Sequence, residues 1–278
     1  MRIAVTGANG RLGGEVVNLL AADGAHDIVA VSRRPIATSR YGKRVRAATA
    51  DYADRAALRT ALRGVDTLVF VSSDGEAAKV LVHHENIVRA AAESGVAHVV
   101  ALSGLDADVR SPFCYAFTYG RTEEALRASG CSLSIARASL FAEFFLRWLR
   151  PARATGQIRV PAGDGRISLV SQADVARCLA ALALRGPTGR HHAVTGPEAL
   201  GLDEVAARCA GAWGRRVEYV DLDPHEHVVE MAAAGEDRWW AYAFATMFAS
   251  VREQRWAEVS ADVAELTRRT PVALDALL

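Results

Sequence analysis

The chain of 278 residues has little of what assigns a protein quickly to a class. Its charges almost cancel, 33 Lys and Arg against 32 Asp and Glu for a formal net of +1. It therefore lacks a general field for polyanions, and nucleic acid is not an expected partner. Only four cysteines occur, Cys114, Cys131, Cys178 and Cys209, far apart and without a CxxC pair. They sit in segments that read as helix or strand, so buried free thiols in a reducing cytoplasm are expected. No apolar run is long enough for a membrane span, and the N-terminus enters a strand pattern at once, with a single Arg2 and no apolar region before a cleavage site. A cytoplasmic protein with no membrane partner is the expectation. Internal repeats and low-complexity tracts are also missing.

What is present is apolar sequence, 51% of the chain, enough to bury a large core. Short Val- and Ile-rich runs alternate with helical patterns: RIAVT before RLGGEVVNLLAAD, DIVAVS, RVRAATA before DRAALRTALRG, DTLVFVS before EAAKVLVHHENIVRAAAESG, then HVVALS and CSLSIAR. Continuous apolar strands between helices predict a parallel sheet covered on both faces, a doubly wound α/β fold. Gly24, Gly64, Gly95 and Gly130 each fall just past a helical run, where a left-handed residue ends a helix at little cost. From about residue 151 Pro and Gly punctuate the chain, which then reads as a short strand RISLV, a helix capped by Ser171, a second helix LDEVAARCAGAWG, a strand VEYVDL and an aromatic helical tail. The expected organisation is a dinucleotide-binding domain over 1–150 and a smaller substrate-binding α/β lobe over 151–278, interleaved with the first part.

Gly7, Gly10 and Gly13 in VTGANGRLGG stand at GxxGxxG spacing directly after a strand and at the opening of a helix. Gly7 permits the sharp turn, Gly10 removes a side chain that would hold a pyrophosphate away, and Gly13 lets helix and strand approach closely. The free amides of Asn9, Gly10, Arg11, Leu12 and Gly13 then face the phosphates. The same glycines would also serve a well-packed strand-to-helix corner.

After the second strand, where an NAD site places an acidic residue for the ribose 2′-hydroxyl, this chain has Ser32, Arg33, Arg34 and Pro35. Two guanidinium groups suit a 2′-phosphate, so NADP(H) is the expected cofactor, with a solvated basic loop as the competing account. Asp51 and Tyr52, ending the third strand, are placed beside the adenine, and Val71, Ser72 and Ser73, ending the fourth, along the ribose and nicotinamide.

VTGANGRLGG, the Asp51–Tyr52 pair, the SGV turn before HVVALS and the block TEEALRASGCSLSIARASLFAEFF together resemble the NmrA-like branch of the atypical short-chain dehydrogenase/reductases, in particular its bacterial NADPH:quinone reductase type. PAGDGRISLVSQADVA and VAELTRRTPVALDALL extend the resemblance over most of the chain; it is weakest over 221–256, expected to shape the substrate pocket. The resemblance implies a Rossmann-type sheet with a small C-terminal lobe, NADP across the strand ends and a substrate cleft between them. It also implies two kinds of activity: reduction of quinones or related acceptors, or non-catalytic dinucleotide sensing that acts through a protein partner.

Short-chain reductases pair a tyrosine with a lysine four residues later, which lowers the phenol's pKa. Here Tyr115 is followed at that spacing by Tyr119. The resemblance places Tyr119 close to the nicotinamide, where other members carry histidine or lysine; it can donate a hydrogen bond to a substrate carbonyl or simply pack. Ser103, at the end of HVVALS, falls where the superfamily keeps a hydroxyl that orients substrate, and a turn-forming serine is the alternative. The two are the candidate catalytic residues. Hydride addition to a quinone yields a stable phenolate, so orientation can suffice without a strong acid. A quinone or conjugated carbonyl is thus the expected substrate, a small aromatic molecule, with a tailoring reductase or cyclase of aromatic natural products as a further alternative and a homodimer left open.

No metal is assigned. His83 and His84 are adjacent on a helix and diverge, with solvent exposure expected; His191 and His192 point to opposite faces of a strand; His225 and His227 are spaced unfavourably for a shared ion. Trp239, Trp240, Tyr242, Phe244 and Phe248 are expected in the core and cleft wall, where a wide apolar pocket would admit a flat substrate.

Overall fold

The computed structural model describes residues 1–278, the side chain of Arg40 excepted. The first half alternates strand and helix: β1 (Arg2–Val5), α1 (Arg11–Asp23), β2 (Asp27–Ser32), β3 (Val45–Thr49), α2 (Arg55–Leu62), β4 (Thr67–Phe70), α3 (Ala77–Glu93), β5 (His98–Gly104), α4 (Cys114–Ala128) and β6 (Ser132–Ala138). The helices end where the glycines allow: Gly24, Gly64, Gly95 and Gly130 all have positive φ, between +67° and +81°.

The chain continues through α5 (Ala142–Leu149), α6 (Ala152–Thr155), β7 (Gln157–Val160), β8 (Arg166–Ile167), α7 (Gln172–Arg185), β9 (His191–Val194), β10 (Leu200–Gly201), α8 (Leu202–Trp213), β11 (Glu218–Asp221), α9 (Pro224–Ala233), α10 (Arg238–Arg252) and α11 (Asp262–Thr267). Ser171 caps α7, its hydroxyl accepting from the Asp174 N–H at 3.0 Å. Two local readings shift. The short strand read as RISLV is only Arg166–Ile167, with Val170 bridging separately to Phe141, and β7 forms inside the stretch read as loop, paired in parallel with β11.

β9 completes a seven-stranded parallel sheet in the order β3-β2-β1-β4-β5-β6-β9. Alternate residues of each strand serve opposite faces. Ile3, Val5, Val69 and Val100 pack beneath α1 and α7, whereas Ala4, Leu68, Phe70 and Val99 pack beneath α2 and α3. Covering both faces explains why the strands read as unbroken apolar runs. The strand order reverses between β1 and β4, which opens a crevice at their carboxyl ends. A second core, built around Phe145, Ile158, Val205, Phe248 and Trp256, holds the C-terminal elements together above that crevice. Among the described residues no helix is long and apolar enough to cross a membrane.

Candidate functional site: a cleft from the glycine turn to an aromatic chamber

At the end of β1, Gly7 adopts φ +64°, and its carbonyl accepts the Gly10 N–H at 2.8 Å to close the turn. A β-carbon on Gly13 would stand 2.3 Å from the Gly7 oxygen and 2.9 Å from the Thr6 oxygen, so the helix can meet the strand here only with glycine. A β-carbon on Gly10 would lie 3.2 Å from the same Gly7 oxygen. Gly10 stands at the N-cap of helix α1, which has no side-chain cap and no acidic residue in its first turn. Its positive end is therefore left for an external anion. The cradle that added β-carbons would crowd and the bare helix end both fit the diphosphate of a dinucleotide.

The turn opens into a cavity of about 710 Å³ that runs along the strand ends, with Asn9, Gly10, Arg11, Leu12 and Gly13 in its wall. At one end are Arg33 and Arg34, both exposed and without an ion-pair partner among the described residues; the Ser32 hydroxyl donates to the Arg34 carbonyl and fixes their loop. Asp51 and Tyr52 stand beside them. Asp51 accepts the Ala53 N–H at 2.8 Å, and the Tyr52 hydroxyl donates to the Val71 carbonyl at 2.6 Å while its ring meets Phe70 edge-on. Burial raises the Tyr52 phenol well above its ordinary range, so it serves as a neutral strut.

Val71, Ser72 and Ser73 line the floor, the Ser72 hydroxyl donating to the Leu102 carbonyl at 2.5 Å. Ser73 is held from behind: its N–H donates to His84 Nε2 at 3.1 Å. This corrects the expectation that His84 is solvent-exposed. It is 1% exposed, its ring lies edge-on to Phe70 at 5.0 Å, and its Nδ1 meets the Thr122 hydroxyl at 2.8 Å. Because Nε2 accepts, Nδ1 carries the proton. Burial first, and the neighbouring His83 charge second, push the His84 pKa down to about 3. His83, half-buried, faces the cavity instead.

Beyond the strand ends the cavity widens into a chamber walled by Phe113, Phe144, Trp240, Phe244, Met247 and Trp256. Four of these come from 240–256, a segment with no motif of its own. Of the aromatic residues expected there, Phe248 is core, Trp240 and Phe244 line the chamber, and Tyr242 does neither, being 52% exposed. Tyr115, Tyr119 and Ser103 join the two halves of the cleft. The Tyr115 hydroxyl is committed: it donates to the Gly75 carbonyl and accepts the Gly75 N–H at 3.0 Å, strapping the loop after β4 to α4. The Tyr119 hydroxyl has no hydrogen-bond partner among the described residues. Burial, reinforced by Tyr115, Cys114 and Asp74, raises its pKa well above the usual phenol range, so it stays a neutral donor. Ser103 is 5% exposed and donates to Glu123 at 2.7 Å, a partner with no sequence signal beyond its place four residues after Tyr119.

His192 is buried against Asp262 at 3.2 Å while its neighbour His191 is exposed, and His227 packs against Trp148 and Phe248. No cluster of His, Cys, Asp and Glu among the described residues could hold a metal ion. Cys178 and Cys209 are buried, with thiols pushed up to about 12 and about 11 by burial, whereas Cys114 and Cys131 are only partly buried, short of the expectation for all four.

Residues 7–185 match a family model described as NAD(P)H-binding. Quinone oxidoreductase 2 of Escherichia coli strain K12 is 33% identical over 238 residues, covering 84% of this chain and 82% of the relative. The chain belongs to the NmrA-like atypical short-chain dehydrogenase/reductases. This NmrA-like chain is an NAD(P)H-dependent oxidoreductase. It is also 37% identical over 224 residues to the (4-alkanoyl-5-oxo-2,5-dihydrofuran-3-yl)methyl phosphate reductase of Streptomyces griseus subsp. griseus, covering 79% of this chain and 77% of that one. The crystal structure of the Escherichia coli NADPH-dependent quinone oxidoreductase QOR2 complexed with NADPH resembles it with a TM-score of 0.92 at 29% identity, over 99% of this chain and 98% of that one.

Proposed function

We propose that this oxidoreductase uses NADPH to reduce a quinone or comparably conjugated carbonyl. The observation that carries the reading is the unpartnered Tyr119 hydroxyl at the junction between the glycine turn and the aromatic chamber. In this reading the amides at the start of α1 hold the diphosphate, Arg33 and Arg34 grip the 2′-phosphate, and Asp51 and Tyr52 border the adenine. NADPH supplies the hydride. The chamber walls orient a flat acceptor and exclude water, and Tyr119 donates a hydrogen bond to its carbonyl oxygen.

No lysine follows Tyr115 or lowers the Tyr119 pKa, so proton delivery to a simple ketone is poorly served. An acceptor whose reduced form is a stabilised phenolate or enolate takes its proton from water afterwards. Both relatives' names fit such chemistry: a quinone and a 4-alkanoyl-5-oxo-2,5-dihydrofuran each carry an alkene conjugated to carbonyl groups. The test is NADPH oxidation on adding a panel of quinones, unsaturated lactones and plain ketones. Turnover with the conjugated acceptors and none with the ketones supports the reading. Tight NADPH binding without turnover on any acceptor replaces it with the sensor.

A further inference from the structure

In the wall of the cleft, the hydrogen bond between Ser103 and Glu123 has a fixed direction. Glu123 is 1% exposed, and its four acceptor positions are filled. Oε1 accepts from Ser103 Oγ at 2.7 Å and Arg137 Nε at 2.8 Å; Oε2 accepts from the Nη2 atoms of Arg137 and Arg127, each at 2.7 Å. Burial by itself would raise the Glu123 pKa, but hydrogen bonds from Arg137, Ser103 and Arg127 and the Arg137 charge outweigh it and hold the carboxyl below its ordinary range. A carboxylate between two guanidinium groups has no proton to give, so the proton of this bond belongs to Ser103. The serine oxygen, in the cavity wall, keeps its lone pairs and no free hydrogen.

We propose that Ser103 is a hydrogen-bond acceptor for an N–H or O–H of the bound ligand, with Glu123 a positioning residue that holds the serine proton away from the cleft. This rests on the reading that dinucleotide and substrate share the cleft. It removes Ser103 as a proton source and makes it a specificity group. Two ligand groups have the required donor: the carboxamide of the nicotinamide, and an un-ionised hydroxyl or amino group beside a carbonyl on the acceptor. A neighbouring Tyr119 donor would complement either one, since each sets a carbonyl oxygen beside its donor.

The experiment has one arm for each source, read by calorimetry on the full chain. The first compares NADPH with its reduced 3-acetylpyridine analogue, which keeps the carbonyl and lacks the N–H. The second compares 2-amino- and 2-methoxy-1,4-naphthoquinone, of which only the first carries an un-ionised donor at that position, on the protein saturated with NADP⁺. In at least one arm the wild type is expected to prefer the donor-bearing ligand by about tenfold. Ser103→Ala should abolish that preference and Ser103→Thr retain it. Glu123→Gln, where it folds, should reduce it as well. The inference is overturned if the wild type shows no preference in either arm, or if every preference survives in Ser103→Ala. Absence of any heat with NADPH would instead sink the proposed function.

Discussion

The ring of Tyr119 lies across Gly104, its Cδ2 atom 2.6 Å from where a β-carbon on that glycine would stand. The last residue of β5 thus leaves the space that brings the Tyr119 phenol, unpartnered among the described residues, to the junction between the glycine turn and the chamber. Gly104→Ala should displace Tyr119 and cost about 1–3 kcal/mol of stability by overpacking. Dinucleotide affinity should be retained while kcat falls, a split that calorimetry and steady-state kinetics would show.

At the glycine turn the obstruction is backbone, which cannot give way as a side chain can. Gly13→Ala would push a methyl group to within 2.3 Å of the Gly7 oxygen and 2.6 Å of its carbon. Dinucleotide binding should be lost, and the thermal midpoint should fall by several degrees, at about 2–4 °C per kcal/mol for a protein somewhat smaller than this. Unchanged NADPH binding in a folded Gly13→Ala protein would contradict the assignment of the turn.

Arg33 and Arg34 carry the cofactor preference in our reading. Replacing both with Ala should weaken NADPH about tenfold or more, the scale of a charge-assisted pair at a partly solvated site, and leave NADH within about twofold. The difference should shrink with added salt. Equal losses for both cofactors would show that the pair does not recognise the phosphate.

The phenols set an expectation for the pH profile. Tyr115 and Tyr119 are both shifted above the ordinary tyrosine value, by burial first, so neither ionises on the way to pH 9. The rate with a quinone should therefore show no loss from phenol ionisation below about pH 9, near the bottom of the unperturbed range. Tyr119→Phe should lower kcat without adding a new limb to the pH profile.

His84 gives a stability signature. Its pKa is about 3 folded against 6.5 when free, so the unfolded chain takes up a proton that the native one refuses. The stabilising effect is complete above pH 6.5 and is lost as pH falls toward 3, at up to about 1.4 kcal/mol per pH unit. Denaturant titrations of wild type and His84→Gln at pH 7, 5 and 4 should converge as the pH drops. Parallel curves would show that His84 takes its proton without unfolding.

The sequence alone determined the sheet and the glycine turn at its strand ends, because both are written in local rules. Unbroken apolar strands demand two covered faces, and Gly7, Gly10 and Gly13 meet steric conditions that lie within a few residues of one another. The same local reach explains why the basic pair after β2 and the missing lysine after Tyr115 were legible. The burial of His84, the commitment of the Tyr115 hydroxyl to Gly75 and the Glu123–Arg137 pair beneath Ser103 depend on partners between 11 and 40 residues away. The chamber draws on more distant partners still, since Phe113 and Phe144 share its wall with Trp240 and Trp256 of the segment 240–256, with no common motif. Only packing of the C-terminal elements over the strand ends brings these side chains together, since burial, and with it proton affinity and hydrogen-bond direction, is a property of the assembled neighbourhood.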